Sequence, residues 1–233
     1  MVKGVFFDAG NTVVFPDYNI YRGIAAEFGA EATIEQVVVA EAGARGAFDA
    51  AVSASPGNDV SGYWTIYYTP FYLALGVPSS SIGEAIERTR EANDTDPGIW
   101  VVPVEGLDET VGALRKRDLA VGIVSNTDGR LDGRLRQIGI RDYFDFVIDS
   151  VVVGVSKPDA RIFELALDEV SLAAHEVVFV GDYYVVDIVG ARNVGMTPVL
   201  FDPQSAYGDV DCKVIARFDD IVPMVDRLNG GAE

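Results

Sequence analysis

The chain has very few of the residues on which several common kinds of active site depend. Its 233 residues include one cysteine, Cys212, and one histidine, His175. A disulfide within the chain and a thiolate metal cluster are therefore excluded, and so is a zinc site built from several histidines. A Ser–His or Cys–His nucleophile pair would have to use His175, which precedes an apolar run where a loop or cap residue is expected.

Positive charge is also scarce. The sequence carries 18 Lys and Arg residues against 36 Asp and Glu residues, a formal net charge of −18 at pH 7. Nucleic acids and anionic membranes bind through clustered Lys and Arg, so neither is expected as a partner. No apolar run approaches the ~20 residues of a membrane span, and the N-terminus leads into a strand without a signal sequence. We therefore expect a cytoplasmic protein, and the sequence does not indicate its oligomeric state.

Short apolar runs separated by helical patterns define most of the chain. The runs predict strands over residues 2–7, 119–124, 144–148, 176–181 and 197–201. Apolar residues at spacings of three and four predict helices over residues 107–117, 130–138, 159–169 and 184–194. Strands that alternate with helices indicate an α/β fold built on a doubly wound, mostly parallel sheet.

Residues 16–103 interrupt this alternation with helical patterns around residues 19–29, 33–53, 61–75 and 80–92, and with no convincing buried strand. The aromatic residues of the third pattern are expected to pack together, and Pro70 is expected to kink or end that helix. The interval is too long for a loop. We predict a core domain made of residues 1–15 and 104–233, with a helical domain inserted over residues 16–103.

Polar residues stand where several predicted strands end. The stretch VKGVFFDAGNTVVF, residues 2–15, places Asp8 directly after the first strand. Similar positions are found in GIVSNTD with Ser125, GVSKPDARIF with Lys157, and VFVGDYYVVDIVGA with Asp182 and Asp187. Each of these residues alone could be a cap, a turn residue or a surface charge. In a parallel sheet, however, the strand ends share one edge, and carboxylates gathered there would repel unless a cation such as Mg²⁺ were bound.

The segments VSNTD, SKPDARIFELAL and VFVGDYYVVDIVGARNVGM resemble, in order and spacing, three motifs of the haloacid dehalogenase (HAD) superfamily. The resemblance covers nearly the whole chain and is to phosphatase-like members with a helical, C1-type cap inserted after the first strand. It implies a Rossmann-like core with Asp8 as the nucleophile and Lys157 as a second catalytic residue.

The resemblance also implies a ligand set. A Mg²⁺ cofactor would be bound by Asp8, the carbonyl of Gly10 and Asp182, with Asp187 in support. The phosphoryl group of a small phosphorylated substrate would be bound by Thr12, Ser125, Asn126 and Lys157.

Gly10 departs from the phosphatase pattern, in which a second Asp stands two positions after the nucleophile. That second Asp protonates the leaving oxygen and later activates water, and Gly10 can do neither. Asn11 stands where glycine is expected, but Asn tolerates a left-handed backbone, so we expect the turn to be preserved.

Three functions fit these residues. The first is a Mg²⁺-dependent phosphatase of a small phosphorylated metabolite, slowed by the loss of its general acid. The second is a binding or regulatory protein that keeps the fold and the metal site without turnover. The third is a 2-haloacid dehalogenase, because dehalogenases of this superfamily also lack the second Asp. Against it, halide displacement needs no Mg²⁺, so the charges of Asp182 and Asp187 would be left without a balancing cation. The substrate itself is not indicated.

Overall fold

The structure is a computed structural model, and it describes residues 1–55 and 62–230. Contacts divide the chain into two compact units. The first comprises Met1–Phe15, Val102–Pro203 and Asp209–Glu233, and the second comprises Pro16–Val101 and Gln204–Gly208. The sequence-based assignment of a core domain and an inserted cap stays a prediction. Within the described ranges, no helix is both long enough and apolar enough to cross a bilayer.

The strands are, in chain order, β1 (Gly4–Phe7), β2 (Val14–Pro16), β3 (Trp100–Pro103), β4 (Ala120–Ser125), β5 (Phe146–Asp149), β6 (Val177–Gly181), β7 (Thr197–Phe201) and β8 (Lys213–Ile215). Six of them form one sheet in the order β5-β4-β1-β6-β7-β8, with every pairing parallel. β1 lies at the centre and is fully buried, as expected for a strand covered on both faces. The predicted α/β fold with a doubly wound parallel sheet is confirmed.

The helices are, in chain order, α1 (Tyr18–Glu27), α2 (Ile34–Ala54), α3 (Tyr63–Ala74), α4 (Ile82–Asp94), α5 (Leu107–Arg115), α6 (Leu131–Gln137), α7 (Ser150–Val153), α8 (Ala160–Val170), α9 (Gly190–Val194) and α10 (Ile221–Leu228). A π-helix, Tyr184–Val189, leads into α9. The sequence did not predict β2, β3, β8, α7 or α10. These strands and α7 span only three or four residues each, too few to show a period.

The second unit is helical, and its aromatic residues are packed together as predicted. On α3, Tyr67, Tyr68, Phe71 and Tyr72 are buried, and the hydroxyls of Tyr68 and Tyr21 on α1 are 2.9 Å apart. Of the two alternatives expected for Pro70, a helix end is wrong, because α3 continues through Pro70 to Ala74, and a kink stays a prediction. The buried rings on both sides of the proline anchor the helix and offset the one lost backbone hydrogen bond.

Gln204–Gly208 belongs to this helical unit, although the sequence assigned it to the core. The Nη2 atom of Arg45 on α2 donates to Gln204 Oε1 at 2.8 Å, and the hydroxyl of Tyr207 donates to Asp49 Oδ2 at 2.5 Å. Arg45 and Asp49 are both buried. Buried charged groups require hydrogen-bond partners, and this loop supplies two of them.

Gly122 on β4 makes room for an aromatic ring in the core of the first unit. The ring of Phe146 packs edge-on against Phe6, with 4.9 Å between ring centroids. A Cβ atom built on Gly122 would lie 2.1 Å from Cζ of Phe146, far closer than van der Waals contact. The sheet therefore accepts only glycine at this position unless the core shifts.

We predict that Gly122→Ala destabilises the protein by roughly 1–3 kcal/mol, because the added methyl group must displace Phe146. Gly133→Ala is the matched control, since Gly133 is exposed on α6 and has open space around it. That variant should be neutral or slightly stabilising, because alanine favours helix more than glycine does. Urea unfolding of both variants tests this, and equal stabilities would show that Phe146 does not constrain Gly122.

Candidate active site

Three neighbouring strands deliver polar side chains to one edge of the sheet. Asp8 directly follows β1, Ser125 is the last residue of β4, and Asp182 directly follows β6. The three strands are adjacent and parallel, so their carboxyl ends meet at the edge where open α/β sheets bind ligands. All three side chains are buried, Asp182 completely.

The turn after Asp8 has the backbone conformation expected from the sequence. Asn11 adopts a left-handed conformation with φ of 52°, and its N–H donates to the carbonyl of Val14 at 2.9 Å. The N–H groups of Val13 and Val14 both donate to the carbonyl of Ala9. Asn11 thus fills the place of a glycine, as predicted.

Thr12 and Gly10 lie in this same turn. Thr12 is completely buried, and within residues 1–55 and 62–230 its hydroxyl oxygen has no hydrogen-bond partner. Gly10 is half-buried and forms an isolated bridge with Val14. The binding of phosphate by Thr12 and the binding of Mg²⁺ by the Gly10 carbonyl stay predictions.

Lys157 joins two carboxylates of the site. Its Nζ atom lies 2.5 Å from Asp8 Oδ1 and 2.6 Å from Asp187 Oδ1, and only 1% of its side chain is exposed. The hydroxyl of Ser125 donates to the same Asp8 oxygen at 2.9 Å. Burial lowers the pKa of Lys157, but the charges of Asp187 and Asp8 raise it by more, so this pKa lies above its ordinary value. Lys157 therefore stays positively charged at neutral pH.

The π-helix brings Asp187 to the same place. The N–H of Tyr183 donates to Asp187 Oδ2 at 3.0 Å, and Asp187 is completely buried. A Cβ on Gly181 would lie 2.4 Å from Cγ of Asp187, so glycine at the end of β6 permits the close approach. The pKa of Asp187 is raised to about 6, because burial and the charge of Asp8, which raise it, outweigh the charge of Lys157, which lowers it. Single turns of π-helix occur frequently at functional sites.

The site has the oxygen donors that a divalent cation requires. Carboxylate oxygens of Asp8, Asp182 and Asp187 all lie within 4.8 Å of one another, and all three residues are buried. In the described part of the chain, Lys157 contributes one positive charge against these three carboxylates. Buried charges must be balanced, so the donor set fits a hard cation such as Mg²⁺.

The side chain of Asn126 is bonded to the backbone of a residue of the cluster. The N–H of Lys157 donates to Asn126 Oδ1 at 2.8 Å, and Asn126 Nδ2 donates to the carbonyl of Lys157 at 2.9 Å. Its predicted contact with phosphate stays a prediction.

Sequence reasoning missed the residue that holds the loop after Ser125. The Asp149 carboxylate, at the end of β5, accepts from the N–H groups of Gly129, Leu131 and Val151 at 2.9, 3.3 and 3.0 Å. The available signal was an Asp directly after the predicted strand 144–148, because Asp commonly caps the turn or helix that follows.

The sequence is similar to a known family of hydrolases and to individual members of it. The sequence model of the haloacid dehalogenase-like hydrolases matches residues 2–195. Haloacid dehalogenase-like hydrolase domain-containing protein 3 of Mus musculus is 32% identical over 227 residues, covering 91% of this chain and 90% of that protein. Ribulose-1,5-bisphosphate 5-phosphatase of Halopiger xanaduensis is 36% identical over 101 residues, covering 43% and 42%.

Solved structures share the fold. The HAD-hydrolase YfnB of Bacillus subtilis aligns with a TM-score of 0.68 at 16% identity, covering 97% of this chain and 99% of that one. Solved 2-haloacid dehalogenases also share it. The family match spans most of the sequence and the mouse relative extends over nearly all of it, so this chain belongs to the haloacid dehalogenase-like hydrolases.

Proposed function

We propose that this protein is a Mg²⁺-dependent phosphatase of a small phosphorylated metabolite, acting through an aspartyl-phosphate on Asp8. The observation that carries the proposal is that Ser125 and Lys157 both donate to one carboxylate oxygen of Asp8. A carboxylate can accept a phosphoryl group covalently, and these two donors are of the kind that stabilises transferring oxygens. Similarity to a named sugar-bisphosphate phosphatase supports this reaction class.

In the proposed reaction, a carboxylate oxygen of Asp8 forms a bond to phosphorus. The bond between phosphorus and the ester oxygen breaks, and its electron pair leaves with that oxygen. The Lys157 ammonium and the Ser125 hydroxyl would donate to the phosphoryl oxygens during this transfer. Water then attacks the phosphorus of the aspartyl-phosphate, which releases inorganic phosphate and restores Asp8.

Asp8 and Asp182 would bind Mg²⁺ with the carbonyl of Gly10, and Asp187 would support them. The support for this assignment is the buried cluster of three carboxylates beside a single lysine. When bound, the ion would supply positive charge next to the transferring oxygens. Asp187 would also hold Lys157 in place through the 2.6 Å contact with its ammonium nitrogen.

Gly10 shapes the proposed activity and also supports the competing functions. Without an Asp at this position, no side chain there donates a proton to the leaving oxygen or activates water. We infer a phosphatase that is slow on alkyl phosphates and faster on substrates whose leaving group departs without a proton. The same glycine would suit a binding protein without turnover, or a dehalogenase, in which a carboxylate displaces halide without a general acid.

We predict that Asp182→Asn weakens Mg²⁺ binding by about tenfold or more, because the site loses one carboxylate charge. Asp202→Asn is the matched control, since Asp202 is another buried acid that directly follows β7 and lies outside the cluster. Its Mg²⁺ affinity should equal that of the wild type. Calorimetric titration measures all three proteins, and equal affinities throughout would remove Asp182 from the metal site.

We predict that Gly10→Asp raises turnover of alkyl phosphates by about 10²–10⁴-fold, the usual contribution of positioned proton transfer. With an aryl phosphate, the wild type should release a burst of aryl alcohol stoichiometric with enzyme, followed by slow turnover, because the phosphoenzyme forms faster than it hydrolyses. An assay of released inorganic phosphate tests the first statement, and rapid-mixing absorbance of the aryl alcohol tests the second.

The control is Asp8→Asn combined with Gly10→Asp, which should abolish turnover if the new Asp assists Asp8 rather than replacing it. The proposal fails if the wild type shows no burst and a folded, Mg²⁺-binding Gly10→Asp variant turns over no aryl phosphate. A binding or regulatory protein without turnover would then fit the results better than a phosphatase.

A further inference from the structure

The side-chain amide of Asn126 forms two hydrogen bonds with the backbone of a single residue. Its oxygen accepts from the N–H of Lys157 at 2.8 Å, and its nitrogen donates to the carbonyl of Lys157 at 2.9 Å. The two residues are 31 positions apart. This amide therefore connects the loop after β4 to the loop before α8.

Lys157 has no regular secondary structure to hold its backbone. It lies between α7 and α8, outside any helix or strand. In a helix or a sheet, neighbouring backbone groups would pair with its N–H and C=O, and here the Asn126 side chain pairs with both. The position of the Lys157 Cα, from which the buried ammonium reaches Asp8 and Asp187, thus depends on Asn126.

We propose that Asn126 is a positioning residue, which fixes the Lys157 ammonium against Asp8 by binding the backbone of Lys157. The inference rests on the proposed function for its catalytic consequence, but its structural part does not. Asn126 then affects catalysis by holding Lys157 in place, without itself contacting the phosphoryl group. Transfer depends on distance, and a misplacement of about 1 Å at a reacting group can cost ~10²-fold in rate.

The chain contains a matched control for this arrangement. Asn229, which follows α10, bonds in the same way to the backbone of Val2, accepting from its N–H at 2.6 Å and donating to its carbonyl at 3.3 Å. Neither Asn229 nor Val2 belongs to the cluster of Asp8, Lys157 and Asp187. Asn229→Ala therefore removes an equivalent pair of hydrogen bonds without touching the site.

The structural part is tested by NMR of protein labelled with ¹⁵N-lysine. The chain has only four lysines, and the other three, Lys3, Lys116 and Lys213, are exposed. We expect Asn126→Ala to speed hydrogen exchange of the Lys157 amide by more than tenfold and to shift the signals of its ammonium group. Asn229→Ala should leave both unchanged. Lys157 signals in Asn126→Ala that coincide with those of the wild type would overturn the proposal.

The catalytic part is tested by kcat/KM for an aryl phosphate with Mg²⁺. Asn126→Ala should lower it by about 10²-fold in the wild type and by less than twofold in Lys157→Ala, because nothing is left to position. Asn229→Ala should change it by less than twofold. If Asn126→Ala lowers kcat/KM equally in the wild type and in Lys157→Ala, Asn126 acts on the substrate directly. If Asn229→Ala lowers kcat/KM as much as Asn126→Ala does, the loss reflects general destabilisation. Either result overturns the proposal. A wild type without turnover would refute the proposed function, and the NMR measurement would still decide whether Asn126 positions Lys157.

Discussion

The ion pairs of one buried lysine hold the site together. The Lys157 ammonium contacts Asp8 and Asp187 at 2.5 and 2.6 Å, in a place where only 1% of its side chain is exposed. Removing one partner of a buried ion pair typically costs 3–5 kcal/mol, because the remaining charge stays uncompensated. The surrounding residues serve this contact. Gly181 leaves space for Asp187, and Asn126 bonds to the Lys157 backbone.

The parallel sheet explains why residues so distant in sequence share one site. Asp8 and Lys157 are 149 positions apart, and Ser125 is 117 positions from Asp8. β1 lies between β4 and β6, so the residues that end these strands or follow them are neighbours at one edge. The same edge concentrates negative charge in a chain that is already strongly acidic. A divalent cation would offset that cost, and on this ground we propose phosphoryl transfer and not halide displacement.

The strand ends could be predicted from sequence because buried runs such as VFF and VVFVG stop at a polar residue, Asp8 or Asp182. β8 could not, since its three residues include the exposed Lys213 and Val214 and show no apolar period. The hydrogen-bond partners of a side chain could not be predicted either, because an amide such as Asn126 can bind backbone or phosphate, and only the folded chain shows its bonds to the Lys157 backbone. The loop Gln204–Gly208 is a similar case, because its bonds to the buried Arg45 and Asp49 join residues 159 and 158 positions apart.

We propose Asp8 as the nucleophile, and mass spectrometry of the trapped enzyme can detect the phosphoryl group that this residue would carry. Wild-type protein is mixed with Mg²⁺ and an aryl phosphate, quenched in acid within the burst and digested at low pH. We expect one phosphoryl group on the peptide that contains Asp8, localised to that residue by fragmentation and absent from Asp8→Asn. Release of aryl alcohol with no phosphoryl group on the protein, or with the label on a different residue, would contradict it.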